Sequence, residues 1–268
     1  MPHHVTHLPT EARSYHEWLS RLRAAEWPDL TLTVLGRVGP SSALRPLVAL
    51  SRPSPTASTV ALTAGIHGDE PGGVEALTQL LEHREEWSAR LPYGLLIFPC
   101  ANPSGYERGT RTNHEGIDLN RQFDRAEAPL EVALIRAGLQ QGAGPGGYRA
   151  SIEFHEDVDT DGFYLYELTA GDRTRLGESI IRAVGKHWPI NLRTEIEGRP
   201  AKHGVIRLDA GQLERIHSDR WPQAIYASRY GTPTCLTFET PIAGFSLEQR
   251  AAIHLTALGA ALDALTAA

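Results

Sequence analysis

Two imidazoles and two carboxylates, each at the end of an apolar run, are the residues of this chain whose types and spacing suggest chemistry. His67 and Glu70 stand three apart in LTAGIHGDEPGG (62–73), where a β-branched run passes into a polar turn and then into Pro71 and two glycines. An imidazole and a carboxylate at that spacing can face one cation at a strand-to-helix junction. Spacing alone decides nothing, because His83 and Glu86 repeat it in LLEHREEWSARL (80–91). There the pattern reads as the charged face of a surface helix.

Function in sheets with parallel strands collects in the loops beyond the strands' carboxyl ends. Polar residues directly after apolar runs are therefore the ones to weigh. His67 to Glu70 follow TVALTAGI, Asn102 follows GLLIFPC, His155 follows ASIEF, and Glu239 ends CLTF. A further stretch, ERGTRTNHEGIDLNRQF (107–123), is dense in Arg and Asn. Two imidazoles and one carboxylate are the ligand count of a catalytic zinc, whose fourth position holds a water of lowered pKa. The remaining carboxylate, Glu239, suits a general base, and arginines in the same cleft can hold a substrate carboxylate or a developing oxyanion.

The elements that would carry these residues are legible as runs of β-branched and aliphatic residues at 30–38, 46–51, 58–65, 94–99, 149–154, 162–168 and 234–239. Helical periodicity appears at 72–87, 129–141, 172–188 and 246–265. Strands interleaved with amphipathic helices predict an α/β fold: a single domain over 1–268, its sheet covered on both faces, with 1–28 as an N-terminal extension packed on it. GAGPGG (142–147) lacks the spacing of a phosphate-binding loop and reads as a plain connection.

Composition narrows the partners. The chain has 268 residues, 41% of them hydrophobic, and a net charge of −6. It lacks the basic footprint of a nucleic-acid or membrane-surface binder, so the expected partner is a peptide or a small peptide-like molecule. No apolar run approaches the ~20 residues of a membrane helix, and a cytoplasmic location is expected. Cys100 and Cys235 sit in apolar runs and read as reduced, buried thiols. His3, His4 and His7 read as a terminal tract, and His114, His187, His203 and His254 as surface or packing residues. DVDTDG (157–162) begins like an EF-hand loop, but position twelve is Leu168, so calcium is not expected. Glu156, Asp157, Asp159 or Asp161 could instead attract a cationic group, or form an acidic loop in water.

Four segments in order, GIHGDEPGG, NPSGYERGTRTNHEGIDLNRQF, EFHEDVDTDG and TFETP, resemble the zinc carboxypeptidases of the carboxypeptidase A type, particularly their short bacterial members. The resemblance implies a mixed, largely parallel central sheet of about eight strands between helices. It implies His67, Glu70 and His155 as ligands of about one Zn2+ per chain. It makes Asn120 and Arg121 the grip on the substrate's terminal carboxylate, Arg111 the group that polarises the scissile carbonyl with Arg108 as a rival, and Glu239 the acid/base. A mobile tyrosine of that family has no clear counterpart; its place falls near His217, with Tyr226 and Tyr230 closer to the glutamate. A zinc-dependent metallocarboxypeptidase is the reading favoured. The alternative is a zinc-dependent deacylase of N-acyl amino acids, of the succinylglutamate desuccinylase or aspartoacylase type. Those relatives carry a β domain after the glutamate, whereas 29 residues follow Glu239 here, so length favours the peptidase.

Overall fold

In a computed structural model, residues 13–25, 27, 29–53, 58–87, 90–169, 175–208 and 220–267 are described. Ten strands are found among them: β1 (Thr31–Val38), β2 (Arg45–Arg52), β3 (Thr59–Ala64), β4 (Gly94–Phe98), β5 (Tyr148–Asp157), β6 (Tyr164–Thr169), β7 (Glu195–Ile196), β8 (Arg199–Pro200), β9 (Val205–Leu208) and β10 (Thr234–Pro241). Eight form one sheet in the order β1-β2-β4-β3-β5-β10-β6-β9, while β7 and β8 pair as a short ribbon. The centre, β4-β3-β5-β10, is parallel; β1/β2, β2/β4 and β10/β6 are antiparallel. This is the mixed, largely parallel α/β sheet the sequence predicts.

β3 is buried along its whole length because helices cover both faces. On one side the helices Tyr15–Ala24, Pro71–Glu82, Gly177–Val184 and Leu247–Ala267 supply the larger apolar core, which includes Trp18, Leu77, Ile180 and Leu258. On the other, Val132, Ile135 and Leu139 of helix Leu130–Gly142 pack with Phe98 and Phe123. Helix Gln223–Arg229 adds Ile225 against Leu168 and Cys235. Of the predicted N-terminal extension, helix Tyr15–Ala24 is described; it packs through Tyr15, Trp18, Leu19 and Leu22, and the Trp18 indole donates to Thr78 Oγ1 at 3.0 Å. His3, His4 and His7 lie outside the described residues.

The seven predicted strands correspond to β1–β6 and β10. β9 is an addition: four residues that pair in parallel with β6 at the sheet edge. The predicted helix at 72–87 breaks into Pro71–Glu82 and the short Arg84–Trp87 turn, and His83 at the break leaves the helical conformation. Helices Pro103–Arg108 and Gln223–Arg229 are also additions, six and seven residues long, too short for a readable period. Cys100 and Cys235 are free and buried. No helix among the described residues is long and apolar enough to cross a membrane.

Candidate metal centre

The turn after β3 is shaped by two glycines. Gly65 adopts φ +64°, a left-handed conformation that redirects the chain at the strand end. At Gly68 an added Cβ would lie 1.9 Å from the Gly105 carbonyl carbon, so only glycine lets the turn rest against helix Pro103–Arg108. Asn102 sustains that contact. Fully buried, its Oδ1 accepts from Gly105 N–H at 2.9 Å, capping the helix, while its side-chain amide reaches the Ile66 carbonyl at 3.4 Å. Asn102 therefore shapes the turn. Pro71 then opens the next helix, a position where its missing N–H costs nothing.

The result places His67 and Glu70 together with His155, and one ligand atom from each lies within 4.8 Å of the others. Glu70 is the hub: its Oε1 is 2.7 Å from His67 Nδ1 and its Oε2 is 2.8 Å from His155 Nδ1. All three are at most 5% exposed. Burial alone would raise the Glu70 carboxyl, but the two imidazoles outweigh it and hold it below the usual carboxylate range. The His155 imidazole is likewise held well above its ordinary value, against burial, by Glu70, Glu153 and Glu239. A donor set of two imidazoles and one carboxylate, buried and converging on one point, fits a zinc ion. By contrast His83 and Glu86 are exposed and 3.9 Å apart, and they belong to no metal-binding group among the described residues.

Behind His67 stands Asp118. Its Oδ1 lies 3.3 Å from His67 Nε2, and its Oδ2 accepts from Arg111 Nε at 3.1 Å. Despite burial, His67 and the arginines Arg111 and Arg121 hold its carboxyl below the usual range. A carboxylate on the far nitrogen of a metal-binding imidazole keeps the near nitrogen unprotonated and aimed at the ion. Asp118 also accepts from Asn120 N–H at 3.0 Å, setting the short turn Leu119–Arg121.

His67, Glu70 and His155 share a cavity of about 940 Å³ with Arg111, Asn120, Arg121 and Glu239. Glu239 is the register partner of His155 across the parallel β5–β10 pair, so both side chains rise from the same face of neighbouring strands. Its low-dielectric surroundings push the Glu239 carboxyl well above the usual range, with His155 pulling partly the other way. Asn120 is fixed by accepting from Gln223 N–H at 2.9 Å, and its amide lies 3.3 Å from His155 Nε2. Arg121 donates to the Asn120 carbonyl at 2.8 Å. Arg111 reaches Glu70 Oε1 at 3.5 Å.

The chain is similar to several known proteins. Residues 56–172 match the model of the succinylglutamate desuccinylase/aspartoacylase catalytic domain. Murein peptide amidase A of Escherichia coli K12 is 36% identical over 81 residues, 30% of this chain and 32% of that protein. The match thus spans about a third of the curated relative. A candidate metallopeptidase of Shewanella amazonensis superposes with a TM-score of 0.72 at 24% identity, covering 94% of this chain and 92% of that one. A metallo-carboxypeptidase of Burkholderia cenocepacia gives 0.65 at 21%, covering 94% and 68%. The fold is that of the metallocarboxypeptidases. In this chain His67 and Glu70 follow the carboxyl end of β3, and His155 and Glu239 lie near the carboxyl ends of β5 and β10.

Within this metallocarboxypeptidase fold the two rival arginines separate. Arg108 is directed at the His114 carbonyl at 3.5 Å and does not line the cavity, whereas Arg111 does. Of the tyrosines near the glutamate, Tyr226 is buried beside Phe123 and accepts from Gln140, and Tyr230 is exposed beside it. Neither lines the cavity, and His217 lies outside the described residues. In the acidic loop Asp157 accepts from the Tyr164 hydroxyl at 2.9 Å and from Asp159 N–H at 2.8 Å, and Asp157 and Asp159 both line the cavity. Glu156 is paired with Arg250 at 2.9 Å. His254, expected at the surface or in packing, is a fully buried packing residue against Phe154. Asp118 and Glu153 were not singled out from the sequence. Asp118 sits inside the quoted GIDLNR segment, and Glu153 two residues before His155 on the same strand face.

Proposed function

We propose that this chain is a zinc-dependent metallocarboxypeptidase that hydrolyses the C-terminal amide bond of a peptide. The observation that carries the reading is the shared cavity: a converging His2Glu set, a carboxylate of raised proton affinity on the adjacent strand, and guanidinium groups along the wall. His67, Glu70 and His155 would hold the ion, which when bound supplies a Lewis acid for the carbonyl and lowers the pKa of the attacking water.

The chain's own groups perform the remaining work. Arg121 and Asn120 hold the terminal carboxylate, which fixes the scissile bond relative to the cluster. Arg111 stabilises negative charge developing on the carbonyl oxygen. Glu239 takes a proton from the attacking water and returns it to the leaving amine. Its raised proton affinity suits both halves of that transfer. The free, buried Cys100 and Cys235 suit a reducing compartment, and we place the enzyme in the cytoplasm.

The match of residues 56–172 to the desuccinylase/aspartoacylase domain favours a second reading, a deacylase of N-acyl amino acids using the same cluster and base. Both readings assign Glu239 the same step. Glu239→Gln keeps the shape of the site, so zinc measured by atomic absorption should stay at about one per chain while hydrolysis falls by at least ~100-fold. Turnover at the wild-type rate would remove Glu239 from the mechanism.

A further inference from the structure

Arg13 stands just before helix Tyr15–Ala24 and lines the cavity, with Asp69 and Glu156 near its charge. Its Nη1 donates to the Gly68 carbonyl at 2.8 Å and to the Tyr106 carbonyl at 3.2 Å. The guanidinium carbon lies 5.3 Å from the centre of the Tyr106 ring, against which Tyr15 and Trp18 also pack. One nitrogen thus joins the N-terminal segment, helix Pro103–Arg108 and the turn that carries His67 and Glu70.

The carbonyl it holds lies between two ligands of the candidate metal centre. Gly68 N–H donates to the Thr110 carbonyl at 3.0 Å, so this residue is gripped on both sides. The Ile66 and His67 carbonyls receive longer bonds, from the Asn102 amide and from Glu70 N–H, each at 3.4 Å. Arg13 therefore makes the shortest of these bonds to the turn's carbonyls, and its donor is charged, which strengthens a hydrogen bond about twofold. Gly68 is buried, and a buried carbonyl that loses its donor is costly. With glycine at 65 and 68 the turn has much conformational freedom to lose, and a charged donor between His67 and Glu70 offsets that loss.

We propose that Arg13 is a positioning residue for the metal centre, acting through the Gly68 carbonyl to hold His67 and Glu70 at the separation that binds zinc. The inference rests on the zinc reading above and is independent of whether the substrate is a peptide or an acyl amino acid. It makes the N-terminal segment a part of the site.

The test uses two variants of the full chain. Arg13→Met keeps the stem and loses the donors, whereas Arg13→Lys keeps a charge and one donating nitrogen, which suffices because Nη1 makes both bonds. In a chelator-competition titration at pH 7.5, Arg13→Met should bind zinc roughly tenfold more weakly and Arg13→Lys within about threefold of wild type. Metal-free melting should fall by no more than about 4 °C. A zinc affinity of Arg13→Met within about twofold of wild type overturns the proposal. So does a loss that Arg13→Lys fails to restore, or a larger fall in melting, since Arg13 would then tie the fold as a whole. Hydrogen exchange of the metal-free proteins reads the turn without the ion: amides of 66–70 should exchange about tenfold faster in Arg13→Met, with β3 unchanged, and equal rates overturn the proposal. Wild-type protein that takes up no zinc refutes the metal reading, and the exchange rates then decide the clamp by themselves.

Discussion

Replacing Asp118 by Asn should weaken zinc binding while sparing the fold. The side chain makes three contacts: His67 Nε2 at 3.3 Å, Arg111 Nε at 3.1 Å and Asn120 N–H at 3.0 Å. An amide keeps the shape and still accepts from Asn120, so the turn Leu119–Arg121 should persist. What is lost is the negative charge that fixes the proton of His67 on Nε2 and pairs with Arg111. Loss of such an outer carboxylate costs 10- to 100-fold in metal affinity or activity, which is about 1.4 to 2.8 kcal/mol. A chelator-competition titration at pH 7.5 reads the affinity directly, and thermal melts of the metal-free proteins read the fold. A zinc affinity within about twofold of wild type, with unaltered melting, would refute the role of Asp118 behind His67. Asp118→Ala should lose more, because the acceptor for Asn120 disappears as well.

His254 should make stability fall in mild acid. The imidazole is fully buried, with Nδ1 3.3 Å from Thr240 Oγ1, and burial, with His155 and Arg250 adding repulsion, depresses its pKa to about 3. The unfolded chain takes up a proton near pH 6.5 that the folded chain refuses, so its contribution is full above that pH and is lost as pH falls toward 3. Between pH 7 and 5 this amounts to about 2 kcal/mol. Urea unfolding of wild type and His254→Gln, both metal-free, should differ in pH dependence by about that much; identical slopes would contradict it. Gly68→Ala forces a Cβ into the Gly105 backbone. It should cost about 3 kcal/mol or more and lower the melting temperature by roughly 6 to 12 °C, and a melt within about 2 °C of wild type would contradict the packing of that turn.

The strands at the sheet centre were readable because they are buried on both faces and so appear as continuous apolar runs: β3 and β4 contain no exposed residue. β9 was not, since four residues at a sheet edge show no pattern against their surroundings. The helices Pro103–Arg108 and Gln223–Arg229 were missed for the same reason of length, yet they hold the Gly68 turn and Asn120 in place. The candidate residues that the sequence did offer stand out because each follows an apolar run or lies in the Arg- and Asn-rich loop. Asn102 satisfied the same criterion and turned out to cap a helix, so position after a strand selects residues near the site without assigning their work. Glu153 escaped because it lies inside a strand, where alternation predicts an apolar or a solvent-facing residue. Only the cavity beneath helix Gln223–Arg229 makes a buried carboxylate intelligible there.

Short peptides differing only in their last residue, offered to the zinc-loaded protein beside N-acetyl-aspartate and succinyl-glutamate, test the central claim most directly. Mass spectrometry should show release of single C-terminal residues, abolished by chelator and restored by zinc, with both acyl amino acids untouched. Turnover of the acyl amino acids alone would contradict the carboxypeptidase reading and leave the deacylase in its place.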